Sequence, residues 1–479
     1  MRGPALNVVT AAQTREIDRL TIEGGVAGIA LMENAAHRVA ETMEQEFDPI
    51  AKHNIVVLCG KGNNGGDGLA LARLMIGRVA KLRVVLAAPP SEYTGDAKVN
   101  LERLKDEGVM PQMEIPQKLR ERREVTLVVD ALLGTGLTGP PKGRVLELMR
   151  AVKEFPEAKV VAVDLPSGLG GGGECVRANT TVTFTAPKVE HYLAEDAEEN
   201  VGRLVITQIG CPPQLVQAGL ALSQPQELAR LFGPRKKSAY KGDFGHVLVI
   251  GGAPGKAGAA AMAGLAALKM GAGWVTVACS DPSRLAVELM TESFQDFRLE
   301  KKTVVAVGPG LGVNQLLVAR LLKDVTVPLV IDADGLNSLA SDFKGRGLET
   351  ILTPHAGEMA RLLGRPVGDR VEDARTFARE RNVCLVLKGH RTLIALPDGS
   401  VYINLSGSPS MAKAGSGDIL TGMIAGMVAQ FPGEIALAVR AAVWMHGRSG
   451  ERAAEELTDK CVIATDLLQY LPRAIRDIA

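Results

Sequence analysis

The chain carries no excess of charge: 55 Lys and Arg stand against 54 Asp and Glu, a formal net charge of +1. That argues against a general nucleic-acid binder and leaves room only for a local basic patch. It has no cysteine-pair motif. Cys59, Cys175, Cys211, Cys279, Cys384 and Cys461 are scattered without a CxxC, which suits reduced cytosolic thiols better than a disulfide frame or a zinc site. No uninterrupted apolar run is long enough to span a bilayer. The opening "MRGPALNVVTAAQTREIDRL" has no apolar core ahead of its charges, so no signal peptide is expected. A soluble, cytoplasmic protein with small-molecule partners, and neither nucleic acid nor membrane, is the expectation. At 479 residues, 46% hydrophobic and 23% charged, the chain is too long for one ordinary core and implies two domains.

Short β-branched runs alternate with amphipathic stretches throughout, which predicts an α/β protein with largely parallel sheets. In the first half the strands are "NIVVLC", "LRVVLA", "TLVVD", "VVAVD", "TVTF" and "LVITQI"; in the second, "HVLVIGG", "WVTVAC", "TVVAVG", "LVIDAD", "CLVLK" and "TLIAL". Between them prolines, polar residues and a basic cluster break the alternation, and the boundary falls near Pro212–Pro225. Domains are therefore expected over residues 1–215 and 226–479, with Arg235–Lys237 reading as a solvated linker.

In the first half "CGKGNNGGDGLALARLM" follows a strand and opens a helix. Gly60, Gly62 and Gly65 keep the GxGxxG spacing of a dinucleotide loop. The second strand ends "VVLAAPP" without the acid that would bind a ribose, so the loop is Rossmann-like without the nicotinamide-cofactor signature. Asn63, Asn64 and Asp67 are more than a bare pyrophosphate loop needs, although a tight turn with an Asx cap also fits. Asp130 and Asp164 end strands, at sheet edges where α/β proteins bind ligands, and each also suits a cap or turn. "GTGLTGP" after Asp130 repeats the glycine spacing, but no clear helix begins there. Oxygens of Asn64, Asp130 and Ser167 together suit a hard cation.

"GNNGGDG", "VVDALLGTGLTGP", "VDLPSG" and "TFTAPK", in this order, resemble the NAD(P)HX epimerase family over roughly Val9 to Cys211. That family interconverts the R and S forms of NADH or NADPH hydrated at nicotinamide C6. The resemblance implies hydrate contacts at Asn63, Asn64, Gly65, Gly66 and Asp67, in the run Gly134, Thr135, Gly136, Leu137, Thr138, Gly139 and Pro140, and at Asp164. It implies potassium at Asn64, Asp130 and Ser167. Moving a proton at C6 needs a positioned acid or base, for which Asp164 and Lys188 are the candidates.

In the second half "GGAPGKAGAA" fails as a Walker A loop: Ile250 stands five before Gly255 and Ala257 follows Lys256. A small-residue helix packed closely is the simpler reading. "VVAVGPGLG" and "VIDADGLN" end strands with glycines and with Asp332 and Asp334, and "LTPHAGEM" puts His355 before a helix that Glu358 can cap. A lone histidine such as His355 is more often structural than ligand-binding. "LKGHRT" offers a lysine and backbone amides to a phosphate. "AGSGDILTG" sets an acid among small residues at a helix start, as an anion hole with a base, or as a plain cap.

These motifs resemble the ribokinase-like superfold and, within it, the ADP- or ATP-dependent (S)-NAD(P)HX dehydratases, from about Ser238 onward. The resemblance implies hydrate contacts at Ala259, Gly312, His355 and Asp418, and nucleotide contacts at Lys388, Gly389, His390, Arg391, Thr392 and Gly417. Asp418 would be the base that activates the C6 hydroxyl toward ADP or ATP, with Mg²⁺. The two halves share a substrate, so the expectation is one nicotinamide-nucleotide repair enzyme, an epimerase feeding a dehydratase. The family is often oligomeric and a homo-oligomer is expected. The competing reading is a ribokinase-like kinase of a stable small alcohol behind a non-catalytic ligand-binding domain.

Overall fold

The computed structural model describes residues 6–115, 124–137 and 139–478. Its internal contacts divide the chain into two compact units, Asn7–Ala218 and, with Leu6, the residues from Gly219 onward. Helices of two or more turns are numbered.

The first unit is a parallel six-stranded sheet of order β2-β1-β3-β4-β5-β6. Its strands are β1 (Asn54–Cys59), β2 (Lys81–Leu86), β3 (Leu127–Ala131), β4 (Lys159–Val163), β5 (Thr180–Phe184) and β6 (Arg203–Thr207). Both faces are covered, which is why the central strands read as continuous apolar runs. On β1, Ile55, Val57 and Cys59 face one core with α1 (Ala11–Glu23), α2 (Gly28–Glu46), α3 (Asn63–Met75) and α4 (Gly95–Asp106). Val56 and Leu58 face another, filled by Leu148, Met149 and Val152 of α5 (Gly143–Val152). The result is a three-layer Rossmann-like domain. β1 has β2 on one side and β3 on the other, so the winding reverses between β1 and β3 and opens a crevice at their carboxyl ends. No helix is described at the glycine run after Asp130; α5 starts only at Gly143.

The second unit is a ten-stranded sheet of order β10-β9-β8-β11-β12-β13-β14-β15-β16-β7. β7 (Leu220–Leu222), β8 (His246–Ile250), β9 (Trp274–Cys279), β10 (Met290–Ser293), β11 (Val304–Val307), β12 (Leu329–Ile331), β13 (Gly347–Leu352) and β14 (Val383–Leu387) precede β15 (Leu393–Ala395) and β16 (Val401–Ile403). Pairing is parallel except along β14-β15-β16. β7, β10, β13 and β16 escape the run-based reading because they are short or half-exposed.

The helices are α6 (Ala257–Lys269), α7 (Gln315–Asp324), α8 (Ala356–Leu363), α9 (Arg370–Arg381), α10 (Ser416–Gln430), α11 (Ile435–Cys461) and α12 (Asp466–Arg476). α6 and α10 meet backbone to backbone. A Cβ on Gly422 would lie 2.0 Å from the carbonyl oxygen of Ala263, and one on Gly426 2.5 Å from that of Ala267. The small-residue runs on both helices exist for this approach, which seats the start of α10 over the sheet. Arg235–Lys237 are exposed, and the Arg235 guanidinium lies 3.6 Å over the Phe244 ring and donates to Gly271 O. All six cysteines are free thiols. Among the described residues no single helix is long and apolar enough to cross a membrane.

Candidate active sites

In the first unit a cavity of about 830 Å³ lies over the carboxyl ends of the sheet. Asn63 and Asn64 of the first turn of α3 and Asp67 of the next line it, with Gly134, Thr135, Gly136 and Leu137 after β3, Asp164 after β4, and Lys188. Gly65 and Gly66 do not line it. A Cβ on Gly65 would fall 1.6 Å from Gly60 O, so that glycine serves the strand–helix turn. Gly139 and Pro140 are exposed outside the cavity, and Thr138 lies outside the described residues. The helix start is Gly62, with no side-chain cap, so Asn63 and Asn64 are not spent on capping.

Below the cavity floor Asp130 and Ser167 are fully buried. Ser167 donates from Oγ to Asp130 Oδ1 (2.6 Å) and from its amide to Oδ2 (2.7 Å). The Leu133 amide donates to Ser167 Oγ (2.9 Å), while Leu133 O accepts from Asn64 Nδ2 (2.9 Å). Ser167, which carries Asp130, and Asn64 thus meet at one residue, Leu133, and Asn64 Oδ1 is left buried without a hydrogen-bond partner. Burial pushes Asp130 up to about 6 against the Ser167 bonds. An orphaned amide oxygen, a hydroxyl and a desolvated carboxylate form a donor set that fits a hard cation.

Asp164 sits at φ 65°, a left-handed conformation that few non-glycine residues adopt and that marks local strain. Its Oδ1 accepts from Lys188 Nζ (2.5 Å) and Thr183 Oγ1 (2.9 Å). Lys188 Nζ also donates to Thr183 Oγ1 (2.8 Å) and Phe184 O (3.1 Å), which uses all three of its N–H groups. His191 accepts at Nδ1 from the Lys188 amide and donates from Nε2 to Asp164 O, both at 2.9 Å. Burial, then the Lys188 charge, lower His191 to about 4, so it holds this geometry as a neutral ring. Burial alone would raise the Asp164 carboxyl, but Lys188 beside it outweighs burial and holds it below its ordinary value. Asp18 of α1 lines the same cavity. Sequence reading passed over it, as it did Thr183 and His191, because no motif marks them and only the fold brings them to Asp164.

In the second unit Asp418 stands in the first turn of α10. Gly415 at φ 92° precedes the helix, which has no side-chain cap, so the plain-cap reading of Ser416 and Asp418 fails. Burial first, then Asp332 and, more weakly, Asp334, push Asp418 up to about 6 although Lys388 opposes them. The buried Asp332 accepts at Oδ1 from Lys388 Nζ (2.8 Å) and at Oδ2 from Thr421 Oγ1 (2.7 Å). A Cβ on Gly417 would lie 3.3 Å from Lys388 Nζ, so glycine leaves room there. His446 of α11 donates from Nε2 to Ser416 O (2.9 Å) and pins the start of α10 from behind.

His355 caps α8, accepting at Nδ1 from the amides of Gly357 (3.0 Å) and Glu358 (3.3 Å), while Glu358 returns the bond to the His355 amide. Lys388 is joined to this segment through its amide to Pro354 O (2.8 Å). Gly312, at φ 73°, donates its amide to Asp334 Oδ2 (2.8 Å), which also pairs with Lys256. A Cβ on Gly310 would meet that of Ala259 at 3.1 Å, so Ala259 and the loop to Gly312 adjoin. In the turn after Lys388, Gly389 lies at φ 151° and Arg391 at φ 54°. Arg370 ties the turn by donating to His390 O (2.8 Å) and Arg391 O (3.1 Å), and Thr392 Oγ1 donates to Gly389 O (3.1 Å).

Fold and sites define a two-domain α/β enzyme with a carboxylate-centred site at the carboxyl ends of each sheet. Residues 28–190 match the family model of the YjeF-related protein N-terminus, and residues 247–473 that of NAD(P)H-hydrate dehydratase. The chain is 39% identical to the bifunctional NAD(P)H-hydrate repair enzyme Nnr of Moorella thermoacetica, over 98% of this chain and 97% of that protein. An ADP/ATP-dependent NAD(P)H-hydrate dehydratase of Bacillus subtilis, crystallised with ATP and Mg²⁺, is 31% identical with TM-score 0.50, covering 54% of this chain and 98% of that one. A ribokinase-like superfamily protein of Enterococcus faecalis is 30% identical with TM-score 0.51, covering 55% and 97%. The chain belongs to the family of bifunctional NAD(P)H-hydrate repair enzymes, epimerase and dehydratase in one polypeptide.

Proposed function

We propose that residues 1–215 carry the epimerase, acting on NADHX and NADPHX in the cavity at Asp164, and residues 226–479 the dehydratase, acting at Asp418. The observation that carries the second assignment is Asp418 itself: raised to about 6 and free of any capping bond, beside a lysine held by another acid. As a carboxylate it takes the proton of the C6 hydroxyl, whose oxygen then attacks the terminal phosphoryl group of ADP or ATP. AMP or ADP leaves. The ring-nitrogen lone pair expels the phosphate from C6, C5 loses a proton, and NAD(P)H is restored. Lys388, with the turn Gly389–Thr392 and Gly417, holds the nucleotide, and Ala259, Gly312 and His355 the hydrate. Mg²⁺ would accompany the nucleotide phosphates and screen their charge.

In the first unit potassium would be held by Asn64 Oδ1, Asp130 and Ser167, the set with the orphaned oxygen, where it would neutralise the buried carboxylate and fix the loops at Asn64 and Leu133. Lys188, with every donor occupied, orients Asp164 rather than carrying protons itself. The near-full-length relative is a repair enzyme, which sets aside the small-alcohol kinase. We place the protein in the cytoplasm as a homo-oligomer, on its reduced thiols and the habit of the family.

The test uses mixed R and S NADHX with Mg²⁺, K⁺ and ADP or ATP, following NADH absorbance to completion. Full return, faster than spontaneous epimerisation allows and abolished in Asp418→Asn, is expected. Return that stops when the S form is exhausted removes the epimerase; no return with either nucleotide removes the dehydratase.

A further inference from the structure

One route to inversion at C6 of the hydrate breaks the C6–O bond and re-forms it from the other face of the ring. That needs an acid for the departing hydroxyl and a base for the arriving water. The cavity of the first unit holds Asp18, Asp67 and Asp164, and the ammonium beside Asp164, Lys188, has its three N–H groups all committed to Asp164, Thr183 and Phe184 O. Among the described residues no donor lies within hydrogen-bonding distance of the Asp67 carboxyl, which has no bond to hold it as an anion. Asp67 stands on α3, whose Gly68 packs on β1 and β3; Asp164 closes β4, on the far side of β3. Both carboxyls line the one cavity, Asp67 from α3 and Asp164 from the end of β4, near enough for the Asp164 charge to act on Asp67.

We propose that Asp67 is the second catalytic residue of the epimerase, the carboxylic acid that works opposite the Asp164 carboxylate across the hydrated ring. The proposal rests on the epimerase assignment made above. Burial, then the charges of Asp164 and Asp18, push Asp67 well above its ordinary value, whereas Lys188 holds Asp164 low. Such a split between neighbouring carboxyls separates acid from base. In the forward direction the Asp67 proton goes to the C6 oxygen, the C6–O bond breaks, and water leaves as the N1 lone pair forms an N1=C6 bond. Water then attacks C6 from the Asp164 side, gives its proton to Asp164, and the N1=C6 π pair returns to N1. Asp67 ends ionised and Asp164 protonated. That form runs the reverse reaction, or the proton returns to Asp67 through solvent.

The test takes purified (R)-NADHX and (S)-NADHX separately in H₂¹⁸O with the full chain and K⁺, scoring inversion at C6 and label in the C6 hydroxyl. Asp67→Asn is expected to lose inversion about 100-fold or more with KM little changed, and to lose label exchange with it. Asp164→Asn is expected to lose inversion yet still exchange label into one epimer, because Asp67 can release and return water on its own face. Asp67→Glu, which keeps an acid, is expected to regain exchange. Its recovery, with an unchanged thermal midpoint for Asp67→Asn, separates chemistry from misfolding. Inversion by Asp67→Asn within threefold of the unsubstituted chain overturns the proposal, as does label exchange by Asp67→Asn like that of Asp164→Asn, or its absence in Asp164→Asn. If the unsubstituted chain inverts neither epimer, the epimerase assignment itself falls.

Discussion

Each unit sets a lysine on a buried aspartate at the carboxyl edge of its sheet, and the two pairs do opposite things. In the first, Lys188 is 1% exposed and grips Asp164, the acid that faces the cavity, so that acid is held ionised. In the second, Lys388 grips Asp332, which is shared with Thr421, and the acid proposed as the base, Asp418, is left beside the pair with a raised proton affinity. A salt bridge can therefore tune a site either by including the reactive carboxylate or by excluding it. The excluded acid is poised to titrate near neutrality, and the included one is not.

Removing the excluded acid should have the largest effect. Asp418→Asn is expected to cut dehydration of pure (S)-NADHX by about 10⁴-fold, roughly 5.5 kcal/mol of barrier, with little change in KM for ADP or ATP. An initial-rate series in nucleotide and hydrate separates the two. A rise in KM with kcat intact would make Asp418 a binding residue and dissolve the contrast.

Breaking the lysines comes next. Lys188→Met leaves Asp164 ionised and buried with only Thr183 donating to it, at a cost of about 3–5 kcal/mol. Lys388→Met should cost less, because Lys388 is partly solvated and Thr421 still serves Asp332. Urea unfolding of each full-length variant ranks them; equal losses would mean that the pairs are alike in kind.

How far this was legible in the sequence follows from the same physics. Central strands buried on both faces, such as β1, β3 and β11, announce themselves as apolar runs, and the acids that close them fall at sheet edges by construction. Met290–Ser293 cannot be seen that way, because an edge strand with exposed residues has no apolar run, nor can Leu220–Leu222 or Val401–Ile403, at three residues each. Asp418 and Asp164 were readable from local motifs. The grip of Asp332 on Thr421, 89 positions away, and that of His446 on Ser416, 30 away, were not, since long-range partners leave no local pattern.

The pH profile sharpens the contrast with a smaller effect. Asp418 must be ionised to act as base, so dehydratase kcat/KM should fall tenfold per pH unit below about 6, or ~1.4 kcal/mol per unit. Asp332→Asn removes a negative charge that raises Asp418 and frees the Lys388 charge that lowers it, so the midpoint should move to lower pH. A midpoint that stays or rises would mean that Asp332 does not act on Asp418.

The smallest effect belongs to His355, and it separates capping from contact. His355→Ala removes the Nδ1 acceptor for the amides of Gly357 and Glu358, a loss of about 1 kcal/mol in stability. His355→Asn restores a capping oxygen but not the ring, whose side chain is 56% exposed at the start of α8. If the ring also contacts the hydrate, Asn should recover the unfolding midpoint and leave KM for (S)-NADHX raised, with kcat little changed. Recovery of both would assign His355 to the helix alone. That would leave hydrate binding in the second unit to Asp418 and the loops at Ala259 and Gly312.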